Sequence, residues 1–184
     1  MKGFRDVIIL CLIATVSGVC LSVVYNSTKD IIEEAKAREL EEAVQNVAAF
    51  LIGEREEIEF EHDGKTFDFY VPADNPKAGG AAVRVTTSEG YSGDITFLMG
   101  VDSDGVVTGF QILESRETPG LGSKATEESF WGQFVGKSLE TFQFAVKSDG
   151  GDVDAITAST VTSRAIAEAL EKGLQAYRAY RGAL

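Results

Sequence analysis

Residues 154–163 have the sequence DAITASTVTS, in which five hydroxyl side chains fall within seven positions. The apolar run at 153–156 predicts a short strand. Helical spacing over 161–181 predicts a long amphipathic helix. Its inward positions are Ala165, Ala169, Leu170, Leu174 and Tyr177. Ser and Thr commonly cap helices, while the unpaired N–H groups and the dipole at a helix N-terminus attract anions. The segment therefore predicts either a helix cap with surplus hydroxyls or an anion site.

The alternation of apolar residues before this segment predicts a β-sheet. Apolar alternation predicts a hairpin over 58–71 that turns at 62–65, with strands over 81–87, 94–101, 106–113 and 141–146, a loop over 72–80 and a short helix over 127–135. Residues 102–105, DSDG, predict a β-turn rather than a calcium loop, because the twelfth position from Asp102 is Leu113 and not Glu. The pattern predicts an α+β domain of mixed or antiparallel sheet with flanking helices.

An uncharged stretch covers residues 7–28. As a helix these 22 residues would measure about 33 Å, enough to cross a hydrocarbon core of roughly 30 Å. A cleavable secretory signal is the alternative, but the run is longer than an ordinary signal core. Lys2 and Arg5 precede the span and acidic residues follow it, which predicts a cytoplasmic N-terminus and an extracytoplasmic body. Helical spacing then continues through residues 26–51.

Three regions follow from these patterns. They are a cytoplasmic N-terminus with a transmembrane anchor at 1–28, a helical stalk at 29–52 and an extracytoplasmic domain at 53–184. The 184 residues carry a net charge of −12, which argues against a nucleic-acid partner. One His and two Cys, Cys11 and Cys20, are too few for a zinc or iron–sulfur site, so no metal is predicted. No credible acid–base pair is apparent either, so no catalytic residue is predicted.

Residues 154–160 resemble the flavinylation motif of the FMN-binding domain family, which is Asp, two free positions, Ser or Thr, two small residues and Thr. The resemblance implies that Thr160 carries FMN through a phosphoester to its side-chain oxygen, with Thr157 and Asp154 in the other motif positions. A separate, Mg-dependent flavin transferase would recognise Asp154 and make the bond, since a threonine hydroxyl alone is a weak nucleophile. The expected phosphate-side residues are Thr157, Ser159, Val161, Thr162 and Ser163.

A second motif of the same family is ETPGLG at residues 117–122. In that family the segment lies along the isoalloxazine ring, and its two glycines permit close backbone approach. The implied cofactor-binding residues are Glu117, Thr118, Gly120, Leu121 and Gly122. Many members have His two residues before the Glu, whereas this chain has Ser115. Trp131 is expected either in the core or beside the flavin.

Both motifs, their order and the N-terminal span resemble the G subunit of the Rnf electron-transport complex over nearly the whole chain. The resemblance implies an electron carrier with covalent FMN in an ion-translocating ferredoxin:NAD oxidoreductase, held in the cell (inner) membrane by one span. The implied partners are the other Rnf subunits, including a second covalent-FMN subunit. Two other classes stay open. One is an anchored flavoenzyme that reduces a small extracellular acceptor, with Glu117 or Arg116 as proton donor. The other is a flavin-free, membrane-tethered binding domain.

Overall fold

The computed structural model describes residues 2–51, 53–74, 76 and 79–183. Residue 52, which ends the predicted stalk, and positions 75, 77 and 78 of the predicted loop lie outside this set. The chain forms two compact units, residues 1–40 and residues 41–184. Each unit is described below by its own elements.

Helix α1 extends from Lys2 to Val47. Side chains of residues 3–27 are all exposed, and within the described chain α1 is the one helix long and apolar enough to cross a bilayer. Two hydroxyls in this region bond back to the helix, from Thr15 to the Cys11 carbonyl at 2.8 Å and from Thr28 to the Val24 carbonyl at 2.9 Å. Such bonds satisfy polar atoms where water is absent. Among the described residues, helix α1 is therefore the one candidate for the membrane span that the apolar stretch predicts.

The second unit is built on a five-stranded antiparallel sheet in the order β1-β2-β3-β4-β5. The strands are β1 Arg55–His62, β2 Lys65–Pro72, β3 Ala81–Thr87, β4 Ile95–Val101 and β5 Val107–Ser115. The β1–β2 hairpin turns at Asp63 and Gly64, whose φ angles of 49° and 72° suit a two-residue hairpin turn. Asp102 holds the β4–β5 turn, because its Oδ1 accepts the Asp104 and Val106 N–H groups at 2.8 and 3.0 Å. The predicted hairpin, the predicted turn and the predicted strands that form β3, β4 and β5 are confirmed.

Helix α3, Thr160–Ala183, covers one face of this sheet. All five positions predicted to face inward along this helix are buried. Large, fully buried side chains of the sheet include Phe69, Phe97 and Met99, and those of α3 include Ile166, Leu170 and Leu174. Burying side chains of this size stabilises the fold by about 1.5–3 kcal/mol each. The α+β class is therefore confirmed, with a purely antiparallel sheet.

The C-terminal end of α1 packs on β4 and β5. Val47 is the contact point, because its carbonyl accepts the Thr108 hydroxyl at 2.7 Å. A Cβ on Gly100 would lie 1.9 Å from the Val47 oxygen, and one on Gly109 would lie 2.6 Å from the Val47 Cα. The two glycines, which face each other across the β4–β5 ladder, therefore leave the space that this helix end occupies.

Three sequence predictions for the segment between β5 and α3 are wrong in detail. The predicted strand at 141–146 is an irregular segment, and it meets the predicted strand at 153–156 only through one parallel bridge between Val146 and Val153. The predicted helix at 127–135 is reduced to α2, Glu128–Trp131, because turns follow it. The apolar alternation that suggested a strand arises because Phe142 and Phe144 pack around Phe134, with ring centroids 6.5 and 6.2 Å from it.

Candidate functional site

One cavity of about 550 Å³ lies where the start of α3 meets the loop after β5 and the loop between β3 and β4. Its volume falls within the range of about 300–1,000 Å³ found for small-molecule sites. The lining residues are Tyr91, Glu117, Thr118, Leu121, Gly122, Ala158, Ser159, Thr160, Val161 and Thr162. The fold therefore brings residues of both sequence motifs into the wall of a single cavity.

A tight turn leads into α3 and sets where the helix begins. Ala158 has a φ of 61°, in the left-handed region, and the Ser159 N–H donates to the Ile156 carbonyl at 2.9 Å. The Ser163 hydroxyl closes the turn, accepting the Ile156 N–H and donating to the Ser159 carbonyl, both at 2.9 Å. Because of these bonds α3 begins at Thr160, and this residue lines the cavity.

The first turn of α3 brings several unpaired donors to the cavity wall. The backbone N–H groups of Thr160, Val161 and Thr162 have no acceptor among the described residues, as expected for the first turn of a helix. Within the same part of the chain, the hydroxyls of Ser159 and Thr160 also lack a hydrogen-bond partner. Free N–H groups, free hydroxyls and the positive end of the helix dipole together favour a phosphate group.

A buried carboxylate joins two walls of the cavity. Glu117 is 8 % exposed; its Oε1 accepts the Ser92 N–H at 3.0 Å and its Oε2 accepts the Thr162 hydroxyl at 2.8 Å. Its neighbours leave little room, because a Cβ on Gly90 or Gly122 would lie 2.8 or 2.4 Å from these carboxylate oxygens. Glu117 therefore ties the β3–β4 loop to the start of α3. This role differs from that of the proton donor considered above, since both oxygens are engaged.

The ETPGLG segment forms a turn at the mouth of the cavity. The Leu121 N–H donates to the Thr118 carbonyl at 3.1 Å, and Gly120 has a φ of 77°, which favours glycine. Ser115 supports the turn from outside, since its hydroxyl accepts the Glu117 N–H at 3.2 Å. Thr118, Leu121 and Gly122 line the cavity, whereas Gly120 shapes the turn. The segment is therefore a preformed wall rather than an open loop.

Comparison with known proteins agrees with this geometry. The sequence profile of the FMN-binding domain family matches residues 90–175, which include the whole cavity lining. The chain is 30% identical over 194 residues to the G subunit of the ion-translocating oxidoreductase complex of Aliivibrio fischeri (strain MJ11), covering 96% of this chain and 91% of that protein. This chain belongs to the family of these G subunits. The resemblance to the Rnf protein is therefore confirmed.

Two further relatives match over shorter alignments. The G subunit of the Na(+)-translocating ferredoxin:NAD(+) oxidoreductase complex of Acetobacterium woodii is 35% identical over 127 residues, which are 66% of this chain and 60% of that protein. The G subunit of the ion-translocating oxidoreductase complex of Escherichia coli (strain K12) is 40% identical over 108 residues, which are 56% of this chain and 52% of that protein. Identity within the family is thus higher over these shorter alignments than over the full-length one.

Some residues that the motif pointed to are not available at the cavity. The hydroxyls of Thr162 and Ser163 were expected to be phosphate donors, but both are buried and already bonded, to Glu117 and within the turn. Thr157 is exposed and lies outside the cavity lining. Val161 lines the cavity and is 45% exposed. In this member of the family, the free donors are therefore Ser159, Thr160 and the backbone of the first turn.

Ion pairs hold the chain just before the turn. Asp154, also outside the cavity lining, pairs with Lys147 at 2.7 Å and stays exposed. Asp149 pairs with Arg164 on α3 through two bonds of 2.5 and 3.0 Å. The Arg164 guanidinium holds the pKa of the Asp149 carboxyl below its usual range. These pairs are exposed and add little stability, but they position the segment that precedes α3.

The sequence left Trp131 either in the core or beside the flavin, and it did not single out Tyr91. Trp131 lines a separate cavity of about 720 Å³ between β5 and α2, and it packs against the core. Tyr91, which sequence reasoning missed, lines the cavity beside Thr160 and is 73% exposed. The available signal was an isolated aromatic residue in a loop of small and polar residues, SEGYSG at 88–93.

The residues present fit an FMN molecule. The unpaired N–H groups and hydroxyls at the start of α3 suit a phosphate. Tyr91, Leu121 and Val161 line the same cavity, and these apolar residues are 73%, 41% and 45% exposed. A flat aromatic ring system is the kind of ligand that such side chains cover. One part of the cavity lining therefore favours an anionic group, and another part is apolar.

Proposed function

We propose that this chain is a membrane-anchored electron carrier of an ion-translocating oxidoreductase complex, with FMN esterified through its phosphate to the Thr160 side-chain oxygen. Bound FMN supplies the electron-transfer chemistry, while the protein holds the cofactor, tunes it and limits its contact with solvent. The observation that carries the proposal is the Thr160 hydroxyl, which lines the cavity at the first position of α3 without a partner among the described residues.

The surroundings of Thr160 support a phosphoester at this position. A phosphate joined to its oxygen would remain next to the free N–H groups of residues 160–162 and to the Ser159 hydroxyl. These donors and the helix dipole offset the negative charge that the phosphate retains. The oxygen is thus both reachable and electrostatically suited to carry this group.

A separate enzyme is needed to form the bond. A threonine hydroxyl is a weak nucleophile and requires a base, a metal or an enzyme to activate it. The carboxylate in the cavity lining belongs to Glu117, which is bonded to Ser92 and Thr162 instead. We therefore infer a Mg-dependent flavin transferase as the maturation partner. Asp154 is exposed next to the turn, where a transferase could reach it.

The position in the membrane follows from charge. Lys2 and Arg5 precede the span, whereas Asp30, Glu33 and Glu34 follow it with one basic residue, Lys29. The positive-inside tendency therefore orients the N-terminus to the cytoplasm and the FMN domain to the extracytoplasmic side. Its electron partners would be other subunits of the complex, including a second subunit with covalent FMN. A carrier of this kind passes electrons between subunits and does not turn over a substrate by itself.

The attachment is tested on the full chain co-expressed with a flavin transferase. Thr160→Val should abolish the fluorescent flavin band on a denaturing gel, whereas Thr160→Ser, which keeps a hydroxyl, should retain a band. Thr66→Val is the matched control, because Thr66 is an exposed threonine of β2 that lies outside both motifs and outside the cavity lining. Its band should match that of the wild type. Flavin on Thr160→Val, or an unmodified peptide 154–163 by mass spectrometry of the wild type, would refute the attachment.

A further inference from the structure

Tyr91 is an exposed aromatic residue of the loop between β3 and β4. Among the described residues between 41 and 183, the exposed large apolar side chains are Phe50, Tyr91, Leu121, Val135 and Val161. Three of these five line the cavity of Thr160, and Tyr91 is the most exposed, at 73%. Among the described residues its ring has no aromatic or cationic partner and its hydroxyl has no hydrogen bond. Its large apolar surface is therefore available to a ligand.

The backbone that carries Tyr91 is held in place. The Glu89 N–H donates to the Thr87 hydroxyl at 3.3 Å, at the end of β3. The Ser92 N–H donates to the buried Glu117 carboxylate at 3.0 Å. The loop also folds tightly on itself, because a Cβ on Gly90 would lie 2.3 Å from the Gly93 carbonyl oxygen. The Tyr91 side chain is thus free while both of its flanks are anchored.

The same carboxylate links this loop to the helix of Thr160. Glu117 bonds Ser92 through one oxygen and Thr162 through the other. Thr162 lies two positions after Thr160 in the first turn of α3. The position of Tyr91 is therefore coupled to that of Thr160 by two hydrogen bonds to one buried group. Such coupling is expected where two elements must hold the opposite ends of one ligand.

We propose that Tyr91 is a flavin-contact residue whose ring covers the isoalloxazine of FMN held at Thr160. This inference rests on the attachment proposed above. The ribityl chain separates the phosphate of FMN from its ring, so an ester at Thr160 leaves the ring to the apolar part of the cavity lining. Aromatic rings stack in offset arrangements, and the phenol of Tyr91 is the aromatic side chain in that lining.

The test measures the lifetime of flavin fluorescence, which a stacked phenol or indole shortens. The full chain is co-expressed with a flavin transferase, purified in detergent and compared with Tyr91→Leu and Tyr91→Trp. Aromatic stacking favours the paired over the separated state by about twofold to tenfold. We therefore expect the lifetime to rise at least about twofold in Tyr91→Leu and to stay short in Tyr91→Trp. Trp131→Phe is the control and should leave the lifetime unchanged, because Trp131 lines the other cavity.

Each outcome separates this inference from the attachment. Denaturing gels of all variants should show equal flavin fluorescence, since unfolding removes any stacking and leaves the ester in place. A wild-type protein without flavin on that gel would refute the attachment at Thr160. If flavin is attached but its fluorescence lifetime in the folded protein is the same in wild type and Tyr91→Leu, the contact with Tyr91 is refuted while the attachment stands. A longer lifetime in Trp131→Phe than in wild type would also overturn it.

Discussion

Replacement of the buried Glu117 carboxylate tests whether this group holds the cofactor cavity together. Glu117→Ala removes the acceptor of both the Ser92 N–H and the Thr162 hydroxyl. Glu117→Gln keeps both contacts, because its amide oxygen can accept from Ser92 while its amide nitrogen donates to the Thr162 hydroxyl, which rotates to accept. The two variants therefore separate the loss of hydrogen bonds from the loss of charge.

The structure sets the expected size of the effect. A hydrogen bond to a charged group contributes about 1.5–3 kcal/mol. Ser92 is exposed, so water can replace part of its bond, whereas Thr162 is 1% exposed and would lose its partner outright. We expect Glu117→Ala to lower the free energy of unfolding by about 2–4 kcal/mol and Glu117→Gln by about 1 kcal/mol. For a chain of this size, each kcal/mol corresponds to a shift in Tm of about 2–4 °C.

The assay is urea unfolding of the full chain in detergent, prepared without flavin transferase so that no cofactor contributes. Trp131 is the only tryptophan, and it packs against the core of the folded unit. Its fluorescence therefore reports unfolding of this unit. Glu128→Ala, at an exposed position of α2, is the control and should change stability little. Equal midpoints for Glu117→Ala and wild type would show that Glu117 does not hold the two walls together.

Two further predictions concern the sheet. Gly109→Ala should lower the free energy of unfolding by about 1–3 kcal/mol, because its Cβ would lie 2.6 Å from the Val47 Cα and the end of α1 would have to move; urea unfolding measures it. Burial and the hydrogen bond to Glu57 raise the pKa of Tyr70 to about 12. The folded state therefore favours the neutral form of Tyr70. The contribution of this tyrosine to the free energy of unfolding is complete below about pH 10, the pKa in the unfolded chain, and is lost as the pH rises to about 12. Unfolding midpoints measured against pH for wild type and Tyr70→Phe should decline more steeply in wild type over this pH range.

Matched variants control both measurements. Gly182→Ala places a Cβ where no atom lies within 4 Å, so it should not destabilise the chain; a Gly109→Ala variant as stable as Gly182→Ala would contradict the close packing of α1. For the tyrosine, Tyr177 and Tyr180 also have raised pKa values because of burial. They should give the same decline in both proteins. A difference between wild type and Tyr70→Phe that does not change with pH would therefore contradict the Tyr70 assignment.

Local sequence patterns predicted much of the fold. The β1–β2 hairpin, strands β3, β4 and β5, and helix α3 follow from alternation, turn residues and helical spacing, which depend on neighbours a few positions away. The prediction of a strand from Thr141 to Val146 was wrong for a physical reason. The alternating aromatic residues of this segment pack in a cluster around Phe134 and do not form a strand ladder. Periodicity alone does not distinguish these two ways of burying a side chain.

For the site, the sequence by itself determined which chemistry is available: the hydroxyls before α3, the Thr160 acceptor position and the ETPGLG turn. It also determined the single apolar span, since span length and charge are local properties. Only the tertiary structure decided which hydroxyls are free, because the Thr162 hydroxyl donates a hydrogen bond to Glu117, a residue far away in sequence. The same holds for Tyr91 and Trp131, whose different cavities depend on long-range packing that no local pattern encodes.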